Sequence, residues 1–196
     1  NGMVSTSQPL STLEAISILK NGGNAVDAAI AASAVLAVVE PGSTGIGGDC
    51  FAIVTMNNKD PISVNGSGIA PKKMNLEFLK KNNIDNIGLT SPHSVTIPGS
   101  VHAWYSMHQK FGKLDFEQLF ITAENYARNG FPLHEVEART WKQNEKKLNQ
   151  YENTKKIFLP NGSPPKFSEI FKNIALANSL KKIGKLGAKI FYEGEI

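Results

Sequence analysis

Between Gly22 and Asp49 the sequence narrows the choice of fold more than anywhere else. Gly22-Gly23-Asn24-Ala25-Val26-Asp27 leads into an apolar, alanine-rich run that lasts to Val39, and Glu40-Pro41 and Gly45-Ile46-Gly47-Gly48-Asp49 follow. The glycines supply the positive φ that closes a preceding helix. Asn24 is a good N-cap, and Asp27 stands three residues on, where a carboxylate favours the positive end of a helix. From Ala25 to Val39 only Asp27 and Ser33 are polar. A helix without a polar face is expected to be buried on all sides, with alanines letting neighbouring backbones approach closely. Pro41 ends it, and a glycine turn, expected to need positive φ, feeds the β-like run Cys50–Met56. A central helix delivering its chain into a core strand is an architectural element, and the rest must be built around it.

The flanking segments extend this plan. Ser11-Thr12-Leu13-Glu14 reads as a capping box with Ser11 as N-cap, opening a short helix whose apolar stripe is Leu13, Ile16 and Leu19. Cys50–Met56 and Pro61–Asn65 read as a hairpin closed through Asn57-Asn58-Lys59-Asp60. Helical patterns follow at Leu76–Leu79, from Pro98-Gly99 to Phe111, from Leu114-Asp115 to Asn129-Gly130, from His134 to about Tyr151, and from Phe167 to Ile183. The expected class is α+β, mostly helical with one β-hairpin. With 196 residues the chain is long enough for one sizeable core.

Charge and cysteine content exclude several functions. The net charge is +4, and lysines concentrate at Lys142, Lys146, Lys147, Lys155, Lys156, Lys181, Lys182 and Lys185. No aromatic residues interleave with them in a recognition motif, so they read as solvated helix faces and no nucleic-acid partner is expected. The single cysteine, Cys50, allows no internal disulfide, and its apolar neighbours mark it as a packing residue. The run Ala25–Val39 is shorter than the about 20 residues that cross a bilayer, so no membrane segment is expected. Asn1–Thr6 shows no charged-then-apolar leader, which favours a cytoplasmic location.

Catalytic signals are weak within the chain. Gly45–Asp49 lies between a helix and a strand, the reverse of the strand–glycine–helix order that cradles a phosphate. His93, His102, His108 and His134 have no metal-ligand spacing, and no metal site is expected. Asn65-Gly66-Ser67-Gly68 is half of a nucleophile elbow without its second half, so Ser67 is not read as a nucleophile. Pro98-Gly99-Ser100 is accounted for by helix initiation.

Several blocks in order nevertheless resemble one family. They are Gly2–Thr6, Gly22–Ala29, Glu40-Pro41 with Gly45–Asp49, Ala70-Pro71, Val95–Ser100, Phe111–Leu114, Ala127–Phe131 and Phe191–Gly194. Together they are similar to the N-terminal part of the γ-glutamyltransferase (γ-glutamyl transpeptidase) large subunit. The resemblance implies a share, residues 1–196, of a four-layer αββα N-terminal nucleophile hydrolase fold. It also implies a downstream small subunit of the same precursor, freed by self-cleavage and carrying a threonine nucleophile whose own α-amine serves as base. The implied substrate is a small γ-glutamyl or related amide, attacked without metal or cofactor, and residues 1–196 alone are expected to be inactive. Transpeptidases carry, a few residues before Ala-Pro, an arginine that clamps the substrate's α-carboxylate. Ser67 stands at that position here, and Ser67 with Gly68 is expected to line the acyl-substrate pocket. A serine offers a single neutral hydrogen bond in place of a bidentate charged pair, which marks a divergent, transpeptidase-like branch. The alternative from another class is a non-catalytic relative that keeps the fold as a binding or assembly module.

Overall fold

The computed structural model describes residues 2–57 and 59–196. They form two compact units, Asn1–Gly45 with Met107–Ile196, and Ile46–Ser106. Asn58, within the expected hairpin turn, lies outside the described residues.

The first unit is built on α1 (Pro9–Lys20) and α2 (Ala25–Val39), which pack against each other. At α2 the capping box is complete. The Asn24 side chain accepts from the N–H groups of Val26 and Asp27, and the Asp27 carboxylate accepts from Asn24 N–H at 2.9 Å. Gly22, at φ +91°, reverses the chain between the two helices. Eleven residues of α2 are buried. The helix is not enclosed on every side, however: Ala25 and Ala29 are exposed and Ser33 and Leu36 half-buried, a strip with helical spacing.

The capping box expected at Ser11 does not form. Pro9 has no N–H to satisfy and suits a first helical position, so α1 starts earlier, with Gln8 as N-cap. Ser11 is instead fully buried inside the helix and donates to Ala32 O at 2.9 Å, tying α1 to α2. The inward face is Ser11, Glu14, Ala15 and Ile18, while Leu13 and Ile16 are exposed. Small and hydrogen-bonding side chains win that face because α2 presents alanines and a backbone carbonyl to it.

After α4 (Ser100–Phe111), a 3-10 turn at Phe116–Phe120 leads into α5 (Ile121–Asn129), and Gly130 at φ +95° ends that helix. The helix expected from His134 to Tyr151 is divided into α6 (Glu135–Gln143) and α7 (Glu145–Leu148), and α8 (Glu152–Phe158) follows beyond it. Asn144 leaves helical geometry at φ −98°, ψ 8°, and its side chain donates back to Thr140 O at 2.9 Å, a local bond that competes with helix continuation. The helix expected from Phe167 likewise begins later. Ile170–Phe171 (β4) pairs antiparallel with Phe131–Pro132 (β3), and only then does α9 (Ile174–Leu186) start, capped by Asn173 and packed on α5. Phe171 is buried against Trp141 and Phe131, at ring-centroid distances of 4.7 and 6.1 Å, and that burial holds residues 170–171 extended. A last short helix, α10, spans Lys189–Tyr192.

Two glutamates, Glu14 and Glu137, are buried in this unit besides Asp27. Burial pushes the Glu14 carboxyl above the usual glutamate range, opposed by a hydrogen bond from Thr122. Burial also raises Glu137, helped by repulsion from Glu40 and opposed by His134, and Glu137 Oε2 has no hydrogen-bond partner among the described residues. The folded state therefore keeps protons that the unfolded state releases in the ordinary glutamate range. The stability this gives is complete below that range and is lost as pH climbs through the raised values. For Glu137→Gln, which removes the ionisation, we expect a higher Tm near pH 7 and a smaller fall in Tm between about pH 4 and pH 7. Thermal melts across that range check it.

The second unit contains an antiparallel hairpin, β1 (Cys50–Val54) and β2 (Ile62–Gly66), in the register Cys50↔Gly66 through Val54↔Ile62. Cys50, Ala52 and Val54 share a half-buried face with Ile62, Val64 and Gly66. Phe51, Ile53, Ser63 and Asn65 occupy the exposed face. The expected hairpin is thus present, with both strands ending close to their sequence limits. α3 (Leu76–Lys81), capped by Asn75, and residues 100–106 of α4 complete this unit.

Candidate functional site

The residues singled out for substrate contact, Ser67 and Gly68, lie directly after β2. Their placement is set by a crossing of two backbone segments, residues 66–69 and 97–100. Ile97 N–H donates to Ile69 O at 2.9 Å. A Cβ on Gly68 would stand 2.0 Å from Ile97 O, and Gly68 adopts φ +64°. A Cβ on Gly99 would stand 2.1 Å from Gly66 O, and one on Gly66 would stand 2.6 Å from Ala103 Cβ. Only glycine fits this close approach at these three positions.

The Gly45–Asp49 turn supports the same crossing. Gly48 O accepts from both Gly99 N–H and Ser100 N–H at 3.0 Å, and the Ser100 hydroxyl donates to Ile46 O at 3.1 Å. These contacts tie the first residues of α4 to the approach to β1. The turn does not use positive φ, contrary to expectation, because none of its glycines is among the left-handed ones. Its Gly47, Gly48 and Asp49 are exposed, and the turn works through a carbonyl rather than through backbone freedom.

Ser67 is half-buried, and its N–H donates to Asn65 Oδ1 at 3.0 Å. Its hydroxyl and the Gly68 N–H have no hydrogen-bond partner among the described residues. No histidine or carboxylate reaches the Ser67 hydroxyl there, so nothing activates it as a nucleophile. The pair offers two neutral donors to a ligand oxygen. The loop Asn65–Pro71 carries no charge, and the chain's two arginines, Arg128 and Arg139, both lie outside residues 46–106. Arg128 is in any case held by Glu124 at 2.9 Å and by Asn178.

Cys50 stands opposite Gly66 in the ladder. Burial pushes its thiol up, tempered by a hydrogen bond with Trp104, so it is a protonated packing group near neutral pH. The histidines have local roles where contacts are described. His108 Nε2 lies 2.7 Å from Leu114 O, His134 caps α6, and His93 meets the edge of Phe78. Among the described residues no group of three or more His, Cys, Asp or Glu is placed to hold a metal ion, and no helix is long and apolar enough to cross a membrane. Sequence reasoning missed Asn65, Gly66 and Gly99 as parts of this site. An Asn two residues before Ser67 is an Asx-turn signal and was available. The partnership of Gly66 with Gly99 was not, because 33 residues separate them.

The sequence model for gamma-glutamyltranspeptidase matches residues 11–196. The chain is 38% identical, over 181 residues, to the glutathione hydrolase-like YwrD proenzyme of Bacillus subtilis (strain 168), covering 91% of this chain and 34% of that protein. It superposes on cephalosporin acylase from Bacillus halodurans with a TM-score of 0.95 at 35% identity, covering 99% of this chain and 37% of the other. For Helicobacter pylori gamma-glutamyltranspeptidase the TM-score is 0.92 at 30% identity, covering 99% and 57%. The chain spans about a third of the length of the curated relatives it matches. These likenesses bear out the expected α+β class as a segment of the transpeptidase fold. The chain belongs to the gamma-glutamyltranspeptidase family.

Proposed function

We propose that the chain is the N-terminal portion of a γ-glutamyltransferase-like amide hydrolase or acyltransferase. Its nucleophile is the threonine that begins a downstream small subunit after the precursor cuts itself. The threonine hydroxyl attacks the amide carbonyl, the α-amine takes the hydroxyl proton, and the amine leaves with a proton to give an acyl ester. Water or an acceptor amine then takes the acyl group. This chemistry calls on neither metal nor cofactor. The observation that carries the reading is the family match across residues 11–196, and the word "proenzyme" in the YwrD name supports a processed precursor.

In this reading Ser67 and Gly68 contact the acyl part of the substrate. Two neutral donors in an uncharged loop suit a carbonyl, hydroxyl or carboxylate oxygen, without the selectivity that a bidentate guanidinium gives a carboxylate. A relative named for glutathione and a structural neighbour named for cephalosporin support a substrate class of γ-glutamyl or related amides.

The test is to produce the full-length precursor and follow it on a denaturing gel with N-terminal sequencing. We expect two fragments, the smaller beginning at threonine, and release of p-nitroaniline from a γ-glutamyl anilide. One uncut band without turnover would instead identify a non-catalytic relative acting as a binding or assembly module.

A further inference from the structure

We propose that Asn65 is a positioning residue for Ser67, setting the hydroxyl's place in the acyl-substrate site through the Ser67 backbone. The inference rests on the reading of Ser67 as a substrate contact. Asn65 is the exposed last-but-one residue of β2, paired with Phe51. Its side chain has one described hydrogen bond, Oδ1 accepting from Ser67 N–H at 3.0 Å. That bond closes an Asx turn and bends the chain out of the strand at the residue that bears the free hydroxyl.

The geometry on the other side of Ser67 explains why such a tie matters. Gly68 is pinned at φ +64° under Ile97 O, and Ile69 O is tied to Ile97 N–H. Gly66 is held by Cys50 in the ladder and by Gly99 at the crossing. Ser67 is thus the unclamped link between two clamped glycines, and the Asn65 amide is the group that fixes its peptide plane. An exposed polar side chain adds little to folding, but a serine hydroxyl that must meet a ligand oxygen loses binding when its backbone turns.

The structure therefore separates two effects. In the full-length processed protein, with L-γ-glutamyl-p-nitroanilide as the probe, we expect Asn65→Ala to raise KM about fivefold to tenfold, the scale of one lost hydrogen bond. Its kcat and Tm are expected to stay near wild type, because the threonine chemistry and the core are untouched. Ser67→Ala is expected to raise KM similarly, and adding Asn65→Ala to it to cost less than twofold more, since the tie then has no hydroxyl to position. An unchanged KM for Asn65→Ala beside a raised KM for Ser67→Ala would overturn the positioning role and leave Ser67 as a contact. Unchanged KM values in both, or no turnover by the wild type, would overturn the reading of Ser67 and this inference with it. Independent, multiplying effects of the two substitutions would also overturn it, because Asn65 would then act on the ligand by a separate route.

Discussion

Replacing Asp27 by alanine is expected to cost the first unit about 3–5 kcal/mol, because several buried backbone N–H groups lose their acceptor at about 1–3 kcal/mol each. Asp27 is fully buried, yet its carboxylate faces backbone donors on two segments. It accepts from Asn24 N–H at 2.9 Å, from Lys113 N–H at 3.1 and 3.2 Å, and from Leu114 N–H at 3.4 Å. Beside it the Asn24 side chain donates to Phe111 O at 2.6 Å. The N-terminus of α2 thus serves as the anchor for the loop that follows α4, 86 residues along the chain. Alanine would leave several backbone N–H groups without acceptors in a site closed to water. Asparagine keeps the shape but offers one oxygen and a donor that meets other donors, so Asp27→Asn is expected to lose about 2 kcal/mol. Urea denaturation of the variants checks the order, wild type above Asp27→Asn above Asp27→Ala. Equal stability of all three would show that the carboxylate is not what holds the loop.

The second large effect is expected at Gly68. An alanine there meets two costs at once: about 1–2 kcal/mol for a side chain at positive φ, and the displacement of Ile97 O from a Cβ 2.0 Å away. The neighbour is backbone and cannot swing aside, so the crossing must open and the bond from Ile97 N–H to Ile69 O must stretch. A total of about 2–5 kcal/mol follows when a typical overpacking cost of about 1–3 kcal/mol is added. Two other glycines serve as internal standards. Gly22 has φ +91° with open space around it, so Gly22→Ala isolates the conformational cost, about 1 kcal/mol. Gly47 has neither positive φ nor neighbours, and Gly47→Ala is expected to stay within about 0.5 kcal/mol. Thermal melts of the three variants, with amide exchange at Ile97 for the first, measure the ladder of effects.

The local features of this fold were legible where one segment decides its own conformation. Asn24 with Asp27, the alanine run to Val39, and the hairpin from Cys50 all follow from caps, propensity and alternation within a few residues. Reading failed where a distant partner settles the outcome. Leu13 and Ile16 look like a core stripe, but the alanines of α2 and the Ala32 carbonyl favour Ser11 on the inside. Phe167–Ile183 looks continuously helical, but burial of Phe171 against Trp141 and Phe131 holds residues 170–171 extended. At the site, Ser67 and Gly68 were reached through family blocks, and their clamps were invisible because Gly66, Gly99 and Ile97 come together only in three dimensions. The Gly45–Asp49 turn shows the same limit. Its glycines suggested backbone freedom, while its structural role is a carbonyl that receives two N–H groups.

The open strip along α2 bears on how a chain of this kind diverges. Ala25 and Ala29 are exposed and Ser33 and Leu36 half-buried, so these positions leave more room for a longer side chain than the rest of the helix does. Ten of the eleven buried positions hold alanine, valine or isoleucine, and close packing there resists a larger side chain. Neutral drift in the central helix is therefore channelled onto one edge, and lineages that share this helix are expected to differ there first, with a beat of three or four residues, while the interior stays as it is.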